Sequence, residues 1–151
     1  MALAKRNLND DVLRKYKSNE ISTASQGQLI IMLYDGAIRF IQTALDSMEP
    51  RKFDQVNNYI LKAQDIVTEL MLSLDMNAGG EIAGNLFSIY VYLKKRLIEA
   101  NVKKSPEILV EVKKFLLDLK EGWSEAIKKS DSSVRNPASS RSEGSSFSIQ
   151  G

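Results

Sequence analysis

Residues 53–74 read FDQVNNYILKAQDIVTELMLSL, and the spacing of their apolar side chains decides the fold class. The apolar residues recur at alternating intervals of three and four, and they are Phe53, Val56, Ile60, Ala63, Val67, Leu70 and Leu74. Such heptad spacing places a continuous apolar seam along one side of an α-helix and is typical of left-handed packing in helix bundles. The stretch therefore predicts a helix that packs against other helices along its whole length.

Three further segments show helical spacing on either side of this stretch. The first begins at 23–28, where Ser25 can cap the helix and Gln28 can close a capping box. The third follows residues 77–80, which we interpret as a tight loop, and the fourth begins at Ser105, a cap followed by proline in the first turn. The residues predicted to face the core in the third and fourth segments are Ile82, Leu86, Ile89, Leu93, Leu97 and Ala100, then Ile108, Val112, Phe115, Leu119, Gly122 and Ala126.

Four helices joined by short loops predict an all-α fold, namely an antiparallel up-down-up-down four-helix bundle over residues 23–129. No stretch shows the alternation of a strand between turn dipeptides. Residues 1–22 are predicted to form an N-terminal segment with a short helix at 9–17. Residues 130–151 are predicted to be a disordered tail, because nine of these 22 residues are serine and few are large and apolar.

The composition excludes many kinds of functional site. The chain has 151 residues, 21 Lys plus Arg, 19 Asp plus Glu, and no Cys or His. It therefore lacks thiol nucleophiles, the usual catalytic triad and most zinc and iron ligand sets. Acidic and basic residues share the same helix faces, which is typical of a solvated surface and unlike a nucleic-acid interface.

No apolar run is long enough to cross a bilayer, and the first six residues do not make a signal peptide. We therefore expect a cytoplasmic protein that is not an enzyme, holds no cofactor or metal, and does not insert into a membrane.

A few large apolar residues fall where the helix faces should be polar, namely Ile31, Leu61, Leu72 and Tyr92. Any one of them could be the edge of a buried stripe. Together they indicate exposed apolar surface on several helices, which usually marks a partner site. Grooves between helices suit an amphipathic partner helix. Gly36 and Gly122 lie among the predicted core-facing residues, where we expect them to allow close approach of a neighbouring helix.

Three separated stretches resemble the flagellar export chaperone family FliS. The first is TASQGQLIIMLYDGAI at 23–38, in which Gln26 stands where the family usually has proline. The third stretch runs from Glu111 to Trp123. Upstream of the first stretch, Tyr16 takes the place of a family tyrosine. The second consists of Leu74 and Asp75, GGEIA at 79–83, Asn85 and Leu86, YVY at 90–92, and LIEAN at 97–101.

The resemblance implies a cytoplasmic chaperone that binds the disordered C-terminal region of flagellin and prevents its premature polymerisation. The client would then stay competent for type III flagellar secretion, without a cofactor. Further implied partners are the flagellar export gate and other flagellar regulators, and the protein would be a monomer or weak dimer. By the same analogy, residues 1–22 occupy part of the client groove until the client displaces them.

The contact residues that we predict on this basis are Tyr16, Ile31, Leu33, Tyr34, Leu72, Leu86, Tyr90 and Tyr92. Leu33 and Leu86 have a second interpretation as pure core residues. A second hypothesis for the whole protein is a homo-oligomeric helical adaptor or scaffold with a partner other than flagellin. A third, an enzyme that uses carboxylates alone, lacks an inward pair of acidic residues on the predicted core faces.

Overall fold

The computed structural model describes residues 26–135, with side chains described as far as Ser130. This part of the chain forms four α-helices and a short 3-10 turn at Pro50–Lys52, and it contains no strand. The all-α prediction is confirmed. The Ser25 cap, the N-terminal segment and residues 136–151 of the predicted tail lie outside the described residues. Residues 130–135, predicted to begin the disordered tail, instead continue the last helix. The helices are α1 (Gln26–Asp46), α2 (Phe53–Leu72), α3 (Met76–Lys103) and α4 (Pro106–Arg135).

The heptad seam of α2 forms the centre of the core, as its spacing predicts. Its five inner members are completely buried, and they are Val56, Ile60, Ala63, Val67 and Leu70. Buried residues of α1, α3 and α4 surround them in one continuous hydrophobic cluster. Removal of apolar side chains from water is the dominant favourable contribution to folding, so this cluster is the main source of stability.

Each helix packs against two neighbours: α1 against α2 and α4, and α3 against α2 and α4. Between α1 and α4, Lys120 pairs with Asp35 at 2.6 Å, and Lys113 donates to Gln42 at 2.5 Å. Asp35 of α1 contacts Lys120 of α4, whereas the later residue Gln42 contacts the earlier residue Lys113. The two helices therefore run in opposite directions. That is the relation that the predicted up-down-up-down order requires.

A polar contact links α2 to α3. The side-chain amide of Asn101 donates to the side-chain oxygen of Asn57 at 2.8 Å. Asn101 is the buried polar residue of the described part of the chain. A buried amide that loses its partner costs free energy, so this contact favours one register of α3 along α2.

The start of α3 corrects the prediction of a loop at residues 77–80. The loop lies earlier, because the Asp75 side chain accepts hydrogen bonds from the backbone N–H groups of Asn77 and Ala78 and caps a helix beginning at Met76. The helix is interrupted at Gly80, whose φ of 56° and ψ of −129° suit glycine alone. After this break Ala83 is buried, whereas Ile82, predicted to face the core, is 43% exposed.

The buried face of α4 also differs from the prediction. Leu109, Val112 and Leu116 are completely buried, whereas Phe115 is 38% exposed. Phe115 and Leu116 are adjacent and both apolar, so the sequence pattern left two possible faces. The Phe115 ring instead packs at the surface beside Tyr92 of α3, with ring centroids 5.9 Å apart. The proposed cap of α4 is confirmed by a hydrogen bond of 3.3 Å from the Ile108 N–H to the Ser105 hydroxyl.

The two core-line glycines differ from each other. A Cβ atom on Gly36 would lie 3.0 Å from Cδ1 of Ile66, so α1 and α2 do approach closely at this residue. A Cβ atom on Gly122 would meet nothing within 4 Å, so the expected close approach at Gly122 is wrong. Gly122 is exposed.

Candidate functional site

An apolar groove opens between the first turns of α3 and the second half of α4. It encloses a cavity of about 260 Å³ and is continuous with the surface. Large apolar side chains cover most of the wall, whereas the remaining apolar positions are glycine or alanine. The lining residues are Leu74, Asp75, Gly79, Ile82, Ala83, Leu86, Asp118, Leu119, Gly122, Trp123 and Ala126.

The cap and the break at the start of α3 position one wall of the groove. Asp75 starts the helix, and Gly79 is buried so tightly that an added Cβ would lie 2.6 Å from the Cβ of Ala83. After the break at Gly80, Ile82 and Leu86 follow on one side of α3 and line the groove. The wall therefore depends on glycine at two consecutive positions.

Behind the groove, two tyrosines from different helices meet in the core. The hydroxyl oxygens of Tyr34 on α1 and Tyr90 on α3 lie 2.5 Å apart in a hydrogen bond, and both side chains are almost completely buried. Burial raises the pKa of Tyr34 above its ordinary range, and the neighbouring Tyr90 raises it further. Burial also raises the pKa of Tyr90. Hydrogen bonding to the side chain of Trp123 opposes both shifts, which links this pair to a lining residue of the groove.

The opposite half of the interface between α3 and α4 is closed by polar contacts. Glu111 on α4 accepts from Arg96 at 2.6 Å and from the Tyr92 hydroxyl at 2.5 Å. The hydrogen bond from Arg96, followed by that from Tyr92, holds the pKa of Glu111 below its usual range. Arg96 also pairs with Glu99 at 2.6 Å. The two helices are thus joined at one end and separated by the groove at the other.

The predicted contact residues divide into three sets. Tyr34 and Tyr90 are buried in the core, where they offer no surface to a partner in this structure. Ile31, Leu33 and Leu86 are half-buried, and of these only Leu86 lines the groove. Leu72 and Tyr92 are 74% and 43% exposed, outside the groove lining. Tyr16 lies outside the described residues, so its contact role stays a prediction.

Comparison with known proteins assigns the chain to a family. A sequence model of the family described as flagellar protein FliS matches residues 9–130. The chain belongs to the FliS family. Its relatives include the flagellar secretion chaperone FliS of Bacillus subtilis strain 168, which is 34% identical over 112 residues. That alignment covers 74% of this chain and 83% of the relative.

Two further FliS relatives come from other bacteria. The flagellar secretion chaperone FliSB of Pseudomonas aeruginosa PAO1 is 36% identical, with 69% of this chain and 82% of the relative covered. The flagellar secretion chaperone FliS of Salmonella typhimurium LT2 is 35% identical, with 68% and 77% covered. The recognition of the family from three short motifs is confirmed.

The charged residues that line the groove of this FliS-family chain are acidic. Both charged lining residues are aspartates, Asp75 and Asp118. Glu81 and Glu125 are exposed and adjoin the lining residues Ile82 and Ala126 in sequence. Over residues 26–130, the carboxylates of Glu81, Asp118 and Glu125 have no hydrogen bond or ion pair. A partner with positive charges beside its apolar residues would complement this rim.

Sequence reasoning missed most of the groove lining. Helical spacing assigns Ile82, Leu119, Gly122 and Ala126 to the core-facing side, and Trp123 is part of a family motif alone. Exposed Phe87, Ile98 and Val102 on α3 were missed as well. The available signal is the set of small residues Gly79, Gly80, Ala83 and Gly84, and again Gly122 and Ala126, which cannot fill the space between two helices.

Two absences concern the described residues alone. No helix in this part of the chain combines the length and the apolar character that a membrane span requires. Likewise, residues 26–130 bring together no group of three or more acidic side chains close enough to hold a metal ion.

Proposed function

We propose that this FliS-family chain is an export chaperone that binds the C-terminal region of flagellin in the cytoplasm and prevents its polymerisation before secretion. The observation that carries the proposal is the apolar groove between α3 and α4, lined by Ile82, Leu86, Leu119 and Trp123. Family membership supports the client, since the relatives are named flagellar secretion chaperones.

The groove has the chemistry that an amphipathic helix requires. Its wall buries apolar side chains of a partner, and its acidic rim favours a segment with positive flanking charges. A client that folds as it binds spends part of the interaction energy on ordering itself. Its affinity is therefore moderate for the area that it covers, which allows release at the export gate.

Calorimetric titration with a peptide from the C-terminal region of the organism's own flagellin tests the proposal. We expect binding with a negative heat-capacity change and a gain of helix in circular dichroism. Trp123, the single tryptophan of the chain, lines the groove and reports its occupation by fluorescence. Absence of heat, of helix gain and of any fluorescence change would contradict the proposal.

Two charge-introducing variants locate the binding surface. Ile82 and Val110 are both exposed apolar residues, but only Ile82 lines the groove. Ile82→Glu should weaken binding of the peptide about tenfold or more, because it places a charge against the apolar client. Val110→Glu should bind as the wild type does. Equal affinities for the two variants would place the client elsewhere.

The N-terminal segment, residues 1–22, is proposed to occupy part of the groove until the client displaces it. Its apolar Val12, Leu13 and Tyr16 lie close in sequence to basic Arg14, Lys15 and Lys17, whose charges complement the acidic rim. Deletion of the residues before Ser18 should change the association rate or the affinity of the flagellin peptide. If neither changes, the segment has no such role.

Self-association is the second candidate function. Phe87, Ile98 and Val102 on α3 are exposed and lie outside the groove lining, which favours a further contact surface. Light scattering over a range of concentrations separates the two candidates. The chaperone should stay a monomer or weak dimer and bind its client without forming larger assemblies, whereas an adaptor would grow with concentration.

A further inference from the structure

Gly122 lies inside α4, between the groove residues Leu119 and Trp123. Glycine inside a helix makes the helix less stable than alanine would, because it loses more backbone entropy on folding. Packing within the chain does not require it, since an added Cβ would find no atom within 4 Å. Gly36 is different, because Ile66 fills the space beside it. The glycine at 122 therefore needs another explanation.

Gly122 is one of the lining residues of the groove, so the open space beside it adjoins the groove. The cavity that this residue lines has a volume of about 260 Å³. An apolar cavity of about 150 Å³ already takes up a molecule the size of benzene. The cavity thus has room for a bulky apolar side chain, and any larger residue at 122 would reduce that room from within the helix.

We propose that Gly122 keeps this cavity open for a bulky apolar side chain of the bound flagellin segment, and so determines which client helix fits the groove. The proposal rests on the proposed function, since it names the part of the client that the same groove receives. The small lining residues Ala83 and Ala126 let the client backbone come close enough for its side chain to enter. Gly122 is thus a specificity-determining residue.

Substitutions at this position and its neighbour test the proposal in the full chain. Gly122→Leu and Gly122→Met fill the cavity, and Gly122→Ala adds one methyl group. Glu121→Leu is the matched control, because it adds the same leucine at an exposed neighbour outside the lining. Circular dichroism and urea unfolding establish that each variant is folded. The probe is the peptide from the C-terminal region of flagellin, with affinity measured by Trp123 fluorescence and calorimetry.

We expect the two bulky variants to bind the peptide about tenfold or more weakly than the wild type, because the lost contact is that of one buried side chain. Gly122→Ala should lose much less, and Glu121→Leu should bind as the wild type does. If the wild type binds the peptide and the folded Leu and Met variants bind it equally well, this proposal fails while the proposed function stands. If the wild type does not bind the peptide, the proposed function fails, and this proposal fails with it.

Discussion

The seam of α2 and the groove between α3 and α4 are both apolar, yet only the seam is fully buried by neighbouring helices. From Val56 to Leu70 the seam residues are completely buried by neighbouring helices. At the groove, Ile82 remains 43% exposed, and Leu86, Leu119 and Trp123 are only half-buried. The two regions have similar residues but different surroundings.

The difference follows from the size of the residues between the large ones. The helices that pack against the α2 seam present leucine, isoleucine and tyrosine side chains. These side chains fill the space between the helices. At the groove, Gly79, Ala83, Gly122 and Ala126 leave the space unfilled. A helix pair that is apolar but lined with small residues therefore leaves a cavity at the surface beside a closely packed core.

The largest expected effect is in the buried core that surrounds the α2 seam. Leu97 is completely buried, so Leu97→Ala should lower the free energy of unfolding by about 2–5 kcal/mol, since it leaves a cavity. Ile82→Ala should lower it by less, because its side chain is already partly in water. Urea unfolding measures both changes. Equal losses would mean that the groove is as well packed as the core.

The buried tyrosine pair tests whether residues behind the groove stabilise the fold or bind the client. Tyr90→Phe should lower the free energy of unfolding by about 1–3 kcal/mol, because the buried Tyr34 hydroxyl loses its hydrogen bond with Tyr90. The affinity for the flagellin peptide should not change, since neither side chain reaches the surface. The double variant with Tyr34→Phe should lose less than the sum of the single losses. A weakened affinity with unchanged stability would restore the predicted contact role.

High pH should destabilise the same region. The pKa values of Tyr34 and Tyr90 are raised in the folded protein, so the folded state keeps protons that the unfolded chain releases above about pH 10. Their contribution is complete below that pH. Between the unfolded and the folded pKa of each tyrosine, the free energy of unfolding falls by up to about 1.4 kcal/mol per pH unit.

The control for this pH dependence is the double variant Tyr34→Phe with Tyr90→Phe. It retains every other titrating group of the chain, so the difference between the two unfolding curves isolates the pair. Parallel curves from pH 9 to pH 11 would show that the tyrosines are not held neutral.

The smallest expected change in the free energy of unfolding is at the groove. Gly122→Ala should raise the free energy of unfolding by up to about 1 kcal/mol, since it favours the helix and meets no neighbour. Gly36→Ala is the contrasting variant, because its methyl group would press on Ile66 at 3.0 Å. Thermal unfolding of both should show a gain at 122 without a matching gain at 36. A loss at 122 would mean that the cavity is not open.

The contact residues show how far the family motifs reach. Leu86, which lies in the motif at 74–101, lines the groove. Tyr34 and Tyr90 occur in motifs too, but they are buried. A short motif identifies the family, but it does not distinguish a buried, hydrogen-bonded tyrosine from an exposed one. Burial depends on residues that are distant in the chain, and these two tyrosines are 56 positions apart.

The sequence by itself determined that the chain is helical, that α2 is buried along one seam, and that the family is FliS. Helical spacing and short motifs are local properties, so they can be seen in a sequence without knowledge of neighbours in space. Only the tertiary structure decided that Leu116 and not Phe115 faces the core, that Tyr34 meets Tyr90, and that the space beside Gly122 is empty. These outcomes depend on how side chains from separate helices fill or fail to fill a shared volume, and sequence spacing does not encode that volume.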